Sequence, residues 1–123
     1  MGWKFKADRP IYTQLVEQIE LRIVSGMYSP GSKLPSVRDL AAEASVNPNT
    51  MQKALAELEQ NGLLYAQRTS GRYITEDEKM ILKVKDTIAL EEIKSFLQKM
   101  SELGFNSQDT IYLIESVAKE MTK

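Results

Sequence analysis

One stretch constrains this chain more than any other: Leu34-Pro35-Ser36-Val37-Arg38-Asp39-Leu40-Ala41, followed by Val46-Asn47-Pro48-Asn49-Thr50-Met51. A residue before proline avoids the helical region, so Lys33-Leu34-Pro35 is extended. Ser36 then caps a helix, and Asp39 three residues on resembles a capping box with a shorter acid. Leu40, Ala41 and Ala44 form its buried side, and the helix ends near Ala44-Ser45. Val46 is the apolar residue of a tight turn. Asn47 is a good N-cap, and Pro48 suits the first helical position. Met51, Ala54, Leu55 and Leu58 follow at i, i+3, i+4 and i+7, a core-facing stripe. The second helix thus opens with small polar side chains, which are poor core material and suit contact with a polar surface.

The flanks supply support for that pair. Residues 1–9 are irregular or strand-like, with Trp3 and Phe5 as surface anchors alternating with Lys4 and Lys6. Pro10 opens a helix in which Ile11, Leu15, Ile19 and Ile23 recur every four residues. Gln14, Glu17, Gln18 and Arg22 are expected on its wet side. Gly26 stops it, and Tyr28-Ser29-Pro30-Gly31 is a turn. After Asn61-Gly62 closes the third helix, Leu63 to Arg68 and Arg72-Tyr73-Ile74-Thr75 read as two strands around a Thr69-Ser70-Gly71 turn. From Glu76 the composition shifts to helix formers. Met80, Ile81, Val84, Ile88, Ile93, Leu97, Met100 and Leu103 give a long apolar stripe whose phase slips near Asp86–Glu91. The slip predicts a bend or a change of packing partner. Gly104 ends that helix, and Ser107 is expected to cap a last one carrying Ile111, Ile114, Val117, Ala118 and Met121. The predicted fold is mainly α with a small β-hairpin, divided into residues 1–75 and a two-helix segment 76–123.

Composition narrows the chemistry. With no Cys and no His, the chain offers no disulfide framework, no Cys/His zinc site and no Cys–His or Ser–His catalytic device. No catalytic groups converge, so no enzyme, cofactor or metal is expected. No apolar run approaches bilayer length and no signal peptide is evident, so a cytoplasmic protein without a membrane partner is the simplest reading. The net charge is −1, distributed as +2 over residues 1–75 and −3 over 76–123, a mild asymmetry that alone does not point to nucleic acid.

The element order is that of a winged helix-turn-helix, in which the third helix enters the major groove with its first residues at base edges. Asn49, Gln52 and Lys53 can exchange hydrogen bonds with bases. Ser36, Asn47 and Thr50, near helix starts, suit phosphate oxygens, and Arg38 can reach a phosphate or a guanine. Arg68, Ser70, Gly71 and Arg72 stand at the hairpin tip, placed for the adjacent backbone or minor groove. Plain capping accounts equally well for Asn47 and Pro48, and turn chemistry for Ser70 and Gly71.

Pro10-Ile11-Tyr12-Thr13-Gln14-Leu15, the Gly26 and Pro30-Gly31 turn, Leu34 to Ala41, Val46 to Thr50, Ala54-Leu55 with Leu58-Glu59, Gly62-Leu63-Leu64 and Gly71-Arg72 stand in one unbroken register. Together they resemble the DNA-binding domain of GntR-family bacterial transcription regulators, over residues 10–75. The resemblance implies a homodimer reading a pseudo-palindromic operator in double-stranded DNA, with repression as the usual outcome. It also implies DNA contacts at the positions of Arg38, Asn47, Asn49, Thr50, Gln52 and Gly71. Pro48 and Gln52 stand where some members have arginine, so no operator sequence carries over. The residues after 75 are too few for the family's usual effector domain, and two helices cannot enclose a typical pocket of roughly 300–1,000 Å³. This resembles the short YtrA-like branch, and it identifies no small-molecule effector. A dimer is expected, with Ile81, Val84, Ile88, Ile93, Leu97, Met100, Ile111 and Ile114 at its interface. A winged helix used to bind another protein is the alternative, separable by the steep salt dependence of phosphate contacts.

Overall fold

An extended N-terminal segment is fastened along the first helix by two glutamines. In the computed structural model, which describes residues 2–122, α1 spans Ile11–Val24. The Gln14 amide accepts from Lys6 N at 2.7 Å and donates to Lys6 O and Arg9 O at 2.8 and 2.9 Å. One turn on, Gln18 donates to Lys4 O at 2.6 Å and accepts from Lys4 N at 3.4 Å. The spacing matches because two residues of extended chain advance about 6.6 Å and four residues of helix about 6 Å. Trp3 and Phe5, on either side of the Lys4 clamp, pack on the core. Arg22 lies with its guanidinium carbon 3.7 Å from the centre of the Trp3 ring, a cation–π arrangement. Gln14 and Arg22, expected in water, are therefore buried, because the docked segment covers their side of the helix.

The remaining elements follow the expected order: α2 Val37–Ala44, α3 Pro48–Gln60, β1 Leu64–Gln67, β2 Gly71–Ile74, α4 Glu78–Glu102 and α5 Ser107–Met121. The fold is mainly helical with one antiparallel hairpin, in which Leu64 pairs with Ile74 and Gln67 with Gly71. Leu15, Ile19 and Ile23 of α1, Leu40 of α2, and Met51, Leu55 and Leu58 of α3 form the core, together with Leu63, Leu64 and Ile74. The extended residues before α2 add a third short rung. Leu34 N donates to Arg72 O and Ile74 N to Ser32 O, both at 2.9 Å, so the hairpin is tied to the chain that leads into α2.

The chain divides into two compact units, one ending at Lys85 and one beginning at Asp86. The first unit extends past Thr75, where the boundary was expected, because Met80, Ile81 and Val84 pack on the winged-helix core. Ile81, placed in the expected dimer interface, is instead part of that core, and Val84 is packed against it. α4 continues as helix through Asp86–Glu91, so the apolar phase slip is no break; it coincides with the end of the first unit. In the second unit, α5 is capped by Asn106 rather than Ser107: the Asn106 side chain accepts from Asp109 N at 2.8 Å. Ile93, Leu97 and Phe96 of α4 and Ile111, Ile114 and Val117 of α5 are exposed, while Ile88 and Met100 are half-buried. No helix of the structure is long and apolar enough to cross a membrane.

The Gln14 clamp makes three hydrogen bonds. At a net contribution of roughly 1 kcal/mol each, Gln14→Ala is expected to lower unfolding free energy by about 2–3 kcal/mol in urea titrations. A loss below about 0.5 kcal/mol would show that water replaces the amide without penalty.

Candidate nucleic-acid interface

Local chemistry orients α2 and α3. Ser36 Oγ accepts from Asp39 N at 3.1 Å and starts α2. Its end is closed by Ser45 in the left-handed region (φ 58°), with Val46 N donating back to Ala41 O at 2.9 Å. The bend frees the chain to start α3 two residues later. There Asn47 Oδ1 accepts from Asn49 N at 2.8 Å, and Pro48 fills the first turn. Met51, Ala54, Leu55 and Leu58 are fully buried, which fixes the rotation of α3 about its axis. The opposite side then has no choice but to face outward: Asn49, Gln52 and Lys53 are exposed, and Thr50 is half-buried.

Acids lie elsewhere on this helix. Its first turn has none, while Glu57 and Glu59 sit in its last turns. Burial raises the Glu20 carboxyl of α1 above the ordinary glutamate range, and Glu17 and Glu57 add to the rise by repulsion. Arg9 is held above its ordinary value by its hydrogen bond to Glu17. Glu17, Glu20 and Glu57 thus lie near one another, and the first turn of α3 carries no acid to offset the positive end of its helix dipole.

The expected site residues divide into two groups. Ser36, Arg38, Asn47, Asn49 and Gln52 are exposed at or near the starts of α2 and α3, although Ser36 and Asn47 also cap those helices and Gln52 accepts from the wing, and Arg68 is exposed at the wing tip. The others are engaged within the protein. Lys53 Nζ rests 3.8 Å from the centre of the Tyr12 ring. Ser70 accepts from the Tyr73 hydroxyl at 3.1 Å, and Tyr73 stacks on Tyr65 across the hairpin at 5.6 Å. Arg72, expected at a solvated tip, is partly buried: its Nε donates to Glu59 and its Nη1 to Gln52 Oε1 at 3.4 Å. Gly71 turns the wing at φ 107°, a conformation that side chains rarely adopt. Sequence reasoning missed Glu59 and Lys33. Neither has a local signal, because each gains its role from residues brought up by the hairpin.

A cleft of about 640 Å³ lies between residues 33–37, Asp39 and the wing residues 70–72. Lys33 and the start of α2 on one side, with Gly71 and Arg72 on the other, form a rim able to receive a phosphate oxygen. Among the described residues no group of His, Cys, Asp and Glu is placed to hold a metal ion.

Residues 11–74, the three helices and the hairpin, match the family described as bacterial regulatory proteins, gntR family. The chain is 36% identical over 111 residues to the HTH-type transcriptional regulator YhcF of Bacillus subtilis, covering 90% of this chain and 92% of YhcF. It is 40% identical over 93 residues to the HTH-type transcriptional repressor YtrA of the same organism, covering 75% of this chain and 72% of YtrA. The structure of a GntR family transcriptional regulator from Listeria monocytogenes superposes with a TM-score of 0.85 at 41% identity, covering 91% of this chain and 98% of the other. A DNA-binding domain of AraR, solved in complex with operator ORX1, matches 61% of this chain at a TM-score of 0.55 and 27% identity, and this chain covers 99% of it. The match of the family to the whole three-helix-and-wing unit, and the near full-length likeness to YhcF, establish that the chain belongs to the GntR family of transcription regulators, with a winged helix-turn-helix DNA-binding domain.

Proposed function

We propose that this protein is a repressor that binds a pseudo-palindromic operator as a homodimer, with α3 in the major groove and the wing on the adjacent backbone. The observation that carries the reading is the two-sidedness of α3. Its apolar stripe is wholly buried, while Asn49 and Gln52 at its start are exposed, as is Arg38 on α2. Side chains of these types match base edges, and the helix N-terminus matches phosphate. The similarity to YtrA, a repressor, and to the operator-bound AraR domain supports the same reading. On this reading the protein works in the cytoplasm, on double-stranded DNA.

The dimer rests on the exposed apolar side chains of α4 and α5. Leu90, Ile93, Phe96, Leu97, Leu103, Ile111, Leu113, Ile114 and Val117 are all exposed in the single chain. So many exposed apolar side chains on two helices call for a partner, and a second copy is the partner an operator of two half-sites requires. The interface would begin beyond Val84, since Ile81 belongs to the winged-helix core. Two reading helices in such a dimer address half-sites about 34–36 Å apart, or a multiple of that.

Selection of random duplexes against the purified protein tests the function. An inverted repeat is the expected product, and the absence of any enriched sequence would refute the reading. On the selected duplex, Arg38→Ala and Asn49→Ala are each expected to weaken binding by roughly 5- to 100-fold, the range of one good base or phosphate contact, with the melting temperature unchanged. Unchanged affinity for both would remove them from the interface. Leu97→Glu is expected to give monomers by sedimentation velocity, with operator affinity lost alongside. A mutant that stays dimeric would place the interface elsewhere.

A further inference from the structure

Gln52 is not an isolated side chain. It lies two turns before Glu59 on the same face of α3, and the guanidinium of Arg72 from the wing spans the two. Arg72 Nε donates to the Glu59 carboxylate, and Nη1 donates to Gln52 Oε1 at 3.4 Å. The Arg72 side chain is 18% exposed and that of Glu59 32%, so the ion pair is shielded and the guanidinium is held in place. The chemistry also fixes which way the Gln52 amide points, because its NH2 turned toward the guanidinium would set donor against donor.

This matters for what Gln52 can read. A glutamine normally recognises adenine in a bidentate manner: its oxygen accepts from N6–H and its nitrogen donates to N7. Here one lone pair of the oxygen takes a bond from a cation, whose charge repels the positive hydrogen of an approaching amino group at the other. Nε2, with two donors, is left as the favoured contact. Guanine offers two adjacent acceptors, N7 and O6, on its major-groove edge.

We infer that Arg72 is a positioning residue which, anchored by Glu59, converts Gln52 from an adenine reader into a guanine reader. The inference rests on the proposed reading that α3 enters the major groove. It adds a specificity device in which the wing acts on the recognition helix, in addition to any contact the wing makes with DNA.

The test is parallel selection of random duplexes by the native protein, Gln52→Ala, Arg72→Met and Glu59→Gln. Gln52→Ala identifies the base that Gln52 reads, as the one half-site position whose preference disappears. At that position the native protein is expected to favour guanine over adenine by roughly 5- to 100-fold, because adenine presents an amino donor where guanine presents the O6 acceptor. Arg72→Met is expected to abolish that preference or reverse it toward adenine, with other positions unchanged. A purely structural or phosphate-binding Arg72 would instead weaken all sequences alike and leave the base preference intact, which overturns the inference. Adenine at the Gln52 position in the native protein, or no position that responds to Gln52→Ala, overturns it as well. If Arg72→Met does not fold by circular dichroism, Glu59→Gln decides: it removes the anchoring charge but keeps the side-chain shape, and the same shift toward adenine is expected. Were the native protein to enrich no sequence at all, the DNA reading would fail first, and that outcome is distinct from the others.

Discussion

The burial of one stripe of α3 is the constraint on which everything else depends. Met51, Leu55 and Leu58 are fully buried against α1, α2 and β1, and Ala54 lets the helices approach closely. At about 1.5–3 kcal/mol for each large side chain, these three contribute some 5–9 kcal/mol before entropy, comparable to the whole stability of a small domain. A rotation of α3 by one residue would expose part of that stripe and bury Gln52 or Lys53 without partners. The angle at which Asn49 and Gln52 are presented is therefore enforced by the core. This is why an eight-residue α2 and a short hairpin suffice to hold the exposed face of α3 in position.

The wing is coupled to that surface by polar links. The rungs from residues 32 and 34 to β2 tie it to the entrance of α2, and Arg72 ties it to α3. A winged helix is often described as a helix with an appended hairpin. In this chain hydrogen bonds join the hairpin both to the strand that leads into α2 and to the face of α3. Displacing the wing would therefore disturb Gln52.

The helix starts were legible because capping is local. Ser36, Asn47 and Pro48 act within three residues of themselves, and the structure finds Ser36 and Asn47 accepting the backbone N–H bonds that capping requires. The last helix shows the limit of that logic: Asn106 and Ser107 are adjacent and equally good caps, and only the backbone angle at Asn106 chooses between them. The burial of Gln14 and Arg22 was not legible, since their positions flank the apolar stripe of α1 and their cover comes from residues 3–9. Nor was the extension of the first unit to Lys85. The Met80–Val84 stripe shows that a face is apolar without showing what it packs on. The Arg72–Glu59 pair joins residues on opposite sides of a turn, which no periodicity announces.

The central claim is that the polar start of α3 reads the major groove in two symmetric half-sites. Methylation interference on a selected duplex tests it most directly, because dimethyl sulfate marks guanine at N7 in the major groove and adenine at N3 in the minor groove. The account predicts interference by N7 methylation in two clusters about one helical turn, or a small multiple, apart. Interference confined to adenine N3, or none in either groove, would contradict it.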